Sequence, residues 1–247
     1  MSGGGAYVDA GGVNTYYESH GEGEPLLLLH GGLCTIETFF AQTPELAKRF
    51  RLILPERRGH GRTADVDGPI TYEAMARDTV AFMAALGIES AHFVGYSDGA
   101  NVGILVAMAR PDLVRRFVSI SGNFDCEGLT DEGRAFFESM QADTFIPMLA
   151  DLYKKASPDG PDHWPVVFEK MRRMFLSEPK IRPTQLGSIK APTLVMAADR
   201  DLMTLEHTLA LFQAIPNAQL CIVPGATHAL LFEKPAVVNA AVLAFLG

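Results

Sequence analysis

Ala91-His92-Phe93-Val94-Gly95-Tyr96-Ser97-Asp98-Gly99-Ala100 decides how this chain folds. A short strand-forming run meets a Gly-x-Ser-x-Gly turn, and a small-residue helix, Ala100 to Ala109, follows. A turn of this kind between strand and helix is a nucleophile elbow. It is sharp enough to hold Ser97 in a strained backbone conformation, and a side chain at either glycine would clash with the neighbouring strand and helix. The serine Oγ is pushed out at the carboxyl edge of a sheet, over a helix N-terminus that favours negative charge.

Outward from the elbow, strands and helices alternate. Tyr7 to Asp9 and Val13 to Glu18 are short strands joined by Gly11-Gly12, a hairpin signal. Pro25 to Leu29 is an apolar run too short for a typical helix and reads as a buried strand, as does Arg51 to Leu54. Thr71 to Leu86 is a helix with Thr71 as N-cap and Gly87 as its stop. After the elbow come the strand Arg116 to Ile120, the strand Pro192 to Met196, the helix Leu202 to Ala214, the strand Gln219 to Val223 and the helix Pro235 to Leu246. This order predicts an α/β fold: a mostly parallel sheet begun by an antiparallel hairpin, with helices on both faces. Such sheets carry their sites at the carboxyl ends of the strands.

Between Asn123 and Gly187 no strand-like run occurs, while Glu132 to Met140, Phe145 to Lys155 and Trp164 to Leu176 read as helices. The expected organisation is a core of residues 1–122 and 188–247 with a helical lid, 123–187, overhanging the sheet edge.

The 247 residues, 48% hydrophobic and 20% charged, suit one globular domain carrying an insertion. A net charge of −8 argues against nucleic acid as a partner, since phosphate neutralisation needs a positive face. The basic groups Arg57-Arg58 with Arg62, and Lys170 to Arg173, read as a solvated loop and a solvated helix face. Cys34, Cys126 and Cys221 offer neither metal spacing nor a disulfide framework, which fits a reduced, cytoplasmic setting. Met1-Ser2-Gly3-Gly4-Gly5 lacks a basic region followed by an apolar stretch, so no signal peptide is expected, and no apolar run approaches a membrane span.

Serine alone is a poor nucleophile; it needs a base, and the base an orienting acid. Of seven histidines, His228 lies in Pro224-Gly225-Ala226-Thr227-His228, a loop just past the last predicted strand, where a carboxyl-edge base belongs. The acid should follow Pro192 to Met196, where Asp199 and Asp201 compete and spacing favours neither. Donors for an oxyanion come from the glycine-rich turn His30-Gly31-Gly32 and from the amide of Asp98 at the helix start.

With the segments His30-Gly31-Gly32, Arg58-Gly59-His60-Gly61-Arg62, the elbow, the acid and His228 in that order, the chain resembles the α/β-hydrolase superfamily nearly end to end. The resemblance implies that Asp201 is the acid, as the last residue of a Gly-x-x-Asp motif whose glycine is Ala198 here. It assigns the first oxyanion amide to Gly32, with Leu33 as the alternative, and gives the Arg-Gly-His-Gly segment an architectural role. It implies a two-step ester hydrolysis through an acyl-enzyme, with no cofactor and no metal. A serine nucleophile argues against the branches that use aspartate there. Esterases, lactonases, C–C bond hydrolases and cofactor-free perhydrolases of haloperoxidase type remain, beside receptors that keep the triad but bind rather than turn over.

The Ser-Asp-Gly sequence is similar to that of valacyclovir-hydrolase-like enzymes, in which this aspartate binds an amino group; Asp98 otherwise reads as a carboxylate stabilising the helix start. Leu33, Phe124 and Trp164 are the expected walls of an apolar substrate pocket. The expected partner is a small ester-like molecule, with neither nucleic acid nor membrane; a homodimer stays open.

Overall fold

Leu26, Leu27, Leu28 and Leu29 are fully buried, and alternate side chains enter opposite cores, Leu27 and Leu29 one and Leu26 and Leu28 the other. A strand covered on both faces reads as an unbroken apolar run. The computed structural model describes residues 4–247, so the sequence reading of Met1 to Gly3 falls outside the described residues. This leucine strand is β3 (Glu24–Leu29) of an eight-stranded sheet. Its companions are β1 (Ala6–Asp9), β2 (Asn14–His20), β4 (Phe50–Pro55), β5 (Ala91–Tyr96), β6 (Val114–Ile120), β7 (Thr193–Arg200) and β8 (Ala218–Thr227). The helices are α1 (Thr43–Leu46), α2 (Tyr72–Ala85), α3 (Asp98–Ala109), α4 (Asp131–Ser139), α5 (Pro147–Ala156), α6 (Trp164–Ser177), α7 (Pro183–Leu186), α8 (Leu205–Ala214), α9 (Leu230–Glu233) and α10 (Pro235–Leu246).

The strand order is β1-β2-β4-β3-β5-β6-β7-β8, antiparallel from β1 through β4 and parallel beyond. Helices α2, α3 and α8 cover one face; α1, α9 and α10 cover the other. The chain passes from β3 out to β4 and returns across β3 to β5, so the direction of winding reverses beside β3. Such a reversal opens a crevice outside the carboxyl ends of the strands. Here the crevice receives Gly31-Gly32 from β3 and Ser97 from β5.

Helix α3 sits close enough to the sheet to explain its small residues. A Cβ on Gly99 would overlap the Leu29 carbonyl, and one on Gly103 would overlap the Phe117 ring. Between β6 and β7 the described residues form helices and turns. In α6 the buried residues Trp164, Val167, Phe168, Met171, Met174 and Phe175 form one stripe at helical spacing. The Trp164 Nε1–H donates to the Ala142 carbonyl at 2.7 Å. His163 and Lys170 both reach Asp65 Oδ2, at 2.9 and 2.6 Å, tying α6 to the loop after β4. No helix among the described residues is long and apolar enough to cross a membrane.

Two readings of the basic groups need correction. Arg57 is not solvated but 4% exposed, and Arg58 is paired with Asp78 at 2.5 and 2.7 Å. Lys170, read as part of a solvated face, is held by Asp65.

The helix–sheet contact is testable by urea unfolding. Gly99→Ala must move backbone against backbone, and a loss of about 3 kcal/mol or more is expected. Gly187→Ala, where φ is −61° and the nearest atom to a new Cβ is 3.5 Å away, should stay within about 0.5 kcal/mol of wild type.

Candidate active site

Ser97 has φ +53° and ψ −119°, a conformation that a residue with a side chain rarely adopts. Two glycines make it accessible. A Cβ on Gly95 would overlap the Gly99 carbonyl, and Gly99 itself touches Leu29, so only glycine at both positions lets strand and helix meet this tightly. The Ser97 Oγ lies 3.0 Å from His228 Nε2. His228 Nδ1 lies 2.6 Å from Asp201 Oδ1. A carboxylate at Nδ1 keeps the proton there, which leaves Nε2 free to accept from the serine hydroxyl.

Asp201 is buried and fully engaged. Its Oδ2 accepts from Ser121 Oγ at 2.5 Å and from the Ala198 N–H at 3.3 Å, and its Oδ1 accepts from the Leu202 N–H at 2.8 Å. Burial pushes this carboxyl up, but the charge and hydrogen bond of His228, with the bonds from Ser121 and Ala198, outweigh it and hold the group below the usual aspartate value. Asp199 points elsewhere: it accepts the N–H groups of Gly225 and Ala226 at 2.9 and 3.2 Å and shapes the turn that leads to His228. The competing aspartates are thus separated by geometry. A register shift between Ala198 and Arg200 turns the two carboxylates to different sides. The strands also run further than expected: β8 continues to Thr227, so His228 follows directly on a strand end.

The turn after β3 borders Ser97, since a Cβ on Gly31 would lie 3.5 Å from that of Ser97. The N–H groups of Gly32 and Asp98 have no acceptor among the described residues. Leu33 is different, because its N–H is donated to His60 Nε2 at 3.0 Å. This bond supplies the architectural use of the Arg-Gly-His-Gly segment and removes Leu33 as an oxyanion donor. Burial, helped by the nearby Arg57 cation, pushes the His60 imidazole down to about 3, so it stays a neutral acceptor. The Asp98 carboxyl is 3% exposed. Its Oδ1 accepts from the Tyr72 hydroxyl at 2.7 Å, while its Oδ2 has no partner and lies against Gly32. Burial lifts it to about 6, against the opposing effects of Arg57 and Tyr72.

These groups open into a cavity of about 640 Å³. Phe137, Phe145 and Phe175 line it from the helical stretch, and the stacked rings of Phe40 and Phe232, 6.0 Å between centroids, flank its mouth. The expected walls Leu33, Phe124 and Trp164 do not line it. Leu33 is buried in the core, Phe124 stacks on His207 with centroids 4.0 Å apart, and Trp164 is enclosed by Tyr153 and Phe168. All three are taken up in packing against other side chains rather than facing this cavity. A second depression of about 740 Å³ between α2, α3 and the Thr184–Ser188 stretch has no histidine in its lining to activate the hydroxyls of Thr184 or Ser188.

The sequence reading missed Ser121, Tyr72, and Tyr96, whose hydroxyl donates to the His228 carbonyl at 2.8 Å. A serine just past a strand end, as Ser121 is, carries no spacing signal. Tyr72 opens a helix twenty-six residues away from its partner Asp98.

Relatives share this architecture. A protein of Caulobacter sp. (strain K31), provisionally named carbamate hydrolase RutD, is 31% identical over 94% of this chain and 95% of its own length. A provisionally named non-heme bromoperoxidase, BpoC of Mycobacterium tuberculosis (strain ATCC 25618 / H37Rv), is 28% identical over 95% of this chain and 98% of its own. The solved structure of Est816, described as an N-acyl homoserine lactone degrading enzyme, superposes with a TM-score of 0.80 at 26% identity, covering 97% of this chain and all of that one. The model of the alpha/beta hydrolase family matches residues 26–241, and with the fold and the elbow in place the chain belongs to that family.

Proposed function

We propose that this protein hydrolyses carboxylic esters or lactones through an acyl-enzyme on Ser97. One observation carries the reading: the unbroken relay Asp201–His228–Ser97, at 2.6 and 3.0 Å, beside two amides without acceptors, Gly32 and Asp98. His228 Nε2 takes the hydroxyl proton as Ser97 Oγ attacks the carbonyl carbon. The tetrahedral oxygen then carries the negative charge between the Gly32 and Asp98 amides. Collapse breaks the bond to the leaving alcohol, which receives the proton from His228. A water next gives a proton to His228 and attacks the acyl carbon, and the acid departs as Ser97 is reprotonated. Asp201 holds the imidazole in its tautomer and stabilises the imidazolium. The apolar cavity supports a medium-sized acyl group.

Hydrolysis of p-nitrophenyl esters from acetate to octanoate tests this. Ser97→Ala should lower turnover on the order of 10⁶-fold, and Asp201→Asn on the order of 10⁴-fold. A Ser97→Ala protein that kept more than about a tenth of wild-type turnover would refute the acyl-enzyme, since triads lose far more.

A second reading follows from the unpartnered Asp98 Oδ2, which is buried against Gly32 in a residue that borders the cavity, so that a small shift of this carboxyl would present it to a bound molecule. There it would accept from an N–H close to the scissile carbonyl, as in an aminoacyl ester or a carbamate. An alanyl ester should then outpace its propionyl counterpart, and Asp98→Asn should abolish the difference. Equal wild-type rates on the two esters rule this reading out.

A further inference from the structure

Among the described residues, Arg57 is the one buried lysine or arginine, and the proposed chemistry leaves it unused. It is 4% exposed, its Nε and Nη1 have no partner, and no carboxylate is paired with it; Asp98, whose charge reaches it, keeps its own hydrogen bond to Tyr72. A buried, nearly bare guanidinium is costly, and the fold keeps one against Gly31, the residue that borders Ser97. Its single carbonyl contact is informative: Nη2 donates to Gly31 O at 3.1 Å. The same oxygen lies 2.7 Å from His30 Nδ1. The backbone N–H of Arg57 donates to His30 Nε2 at 3.3 Å, which assigns Nε2 as the acceptor and the proton to Nδ1; Arg57 Nη2 lies 3.2 Å from that Nδ1, so the two nitrogens stand side by side as donors converging on Gly31 O. His30 stays neutral, its imidazole pushed well down by burial and by Arg57 and His60.

Gly31 O and the Gly32 N–H belong to one peptide unit. In a trans peptide they point in opposite directions. With the oxygen held by two donors on the Arg57 side, the N–H is aimed the other way, into the cavity that Gly32 shares with Ser97. A carbonyl that accepts two hydrogen bonds, one from a cation, is more polarised, and its own N–H becomes the stronger donor. We infer that Arg57, with His30, is a positioning residue for the oxyanion site: it orients the Gly31–Gly32 peptide and strengthens the Gly32 N–H at the moment negative charge forms on the substrate oxygen. Its side chain does not line the cavity and need not touch substrate.

The inference rests on the acyl-enzyme reading and is separable from it. Outright removal of one oxyanion donor costs about 10²–10³ in turnover, so weakening one should cost about 10–100-fold. Stopped-flow acylation by p-nitrophenyl butyrate should slow by that factor in Arg57→Met. KM should stay within about threefold, and affinity for a trifluoromethyl ketone, which forms a tetrahedral adduct on Ser97, should fall in parallel with the acylation rate. Arg57→Lys, which keeps a cationic donor, should recover part of the loss. A folded Arg57→Met protein that acylates at the wild-type rate overturns the inference, as does one in which KM and ketone affinity weaken equally.

If Arg57→Met does not fold, the wild type decides. Glycine labelled with ¹³C at the carbonyl and ¹⁵N shows one-bond coupling only at Gly-Gly peptides, of which the chain has four: 3–4, 4–5, 11–12 and 31–32. The Gly31 carbonyl should resonate downfield of the other three, and a Gly31 signal within their range overturns the inference. A wild type inactive on every ester would remove the acyl-enzyme reading; an active wild type matched by Arg57→Met would remove this one alone.

Discussion

The approach of α3 to β3 is the contact from which the rest of the site is built. Gly99 lies directly against the Leu29 carbonyl, and Gly95 leaves room for Gly99 in turn. Because neither position has a side chain, the helix starts beneath the turn after β3, and the two free amides come from elements that touch. Any spacer between them would separate the Gly32 and Asp98 donors. The left-handed φ of Ser97 follows from the same constraint: a chain leaving β5 has to double back at once to enter α3. Strain at one residue is the cost of bringing a strand end, a helix start and a neighbouring turn to a single point.

Electrostatically, the two aspartates of the site are used in opposite ways. Asp201 receives every hydrogen bond its carboxylate can usefully take and stays charged beside His228. Asp98 has one bond and one bare oxygen, and burial moves it to about 6. A group held low is a constant background charge near neutrality. A group lifted to about 6 responds to what stands next to it, whether a substrate N–H or the Arg57 cation.

Much of this was legible in the sequence, and the failures share a cause. The meeting of Ser97 with His228 could be read because their neighbours impose local geometry: the elbow needs its glycines, and a loop just past the last strand ends at the same sheet edge. The fold was legible for a similar reason, since Leu26 to Leu29 and the α6 stripe carry their period in one stretch. Asp201 could not be separated from Asp199 by spacing, because the two-residue register shift where β7 leaves its pairing with β8 lies between Ala198 and Arg200, and no local pattern announces it. Leu33, Phe124 and Trp164 were misread as walls because a wall is defined by how distant elements meet. Arg57 was misread as solvated because nothing local distinguishes a buried arginine from an exposed one; its burial depends on the turn after β3, twenty-six residues earlier.

Strands β6 and β7 are hydrogen-bonded neighbours, so the chain leaves the sheet for α4–α7 and returns one strand away. Ser97, Asp201 and His228 all lie outside that excursion, whereas Phe137, Phe145 and Phe175 lie within it. The Ser97–His228–Asp201 contacts and three of the rings above them are therefore carried by different stretches of the chain, while Phe40 and Phe232 complete the rim from the sheet side. Under the hydrolase reading proposed above, substitutions within the excursion would recut one wall of the cavity and leave those contacts in place, so admission could drift without the chemistry being rebuilt.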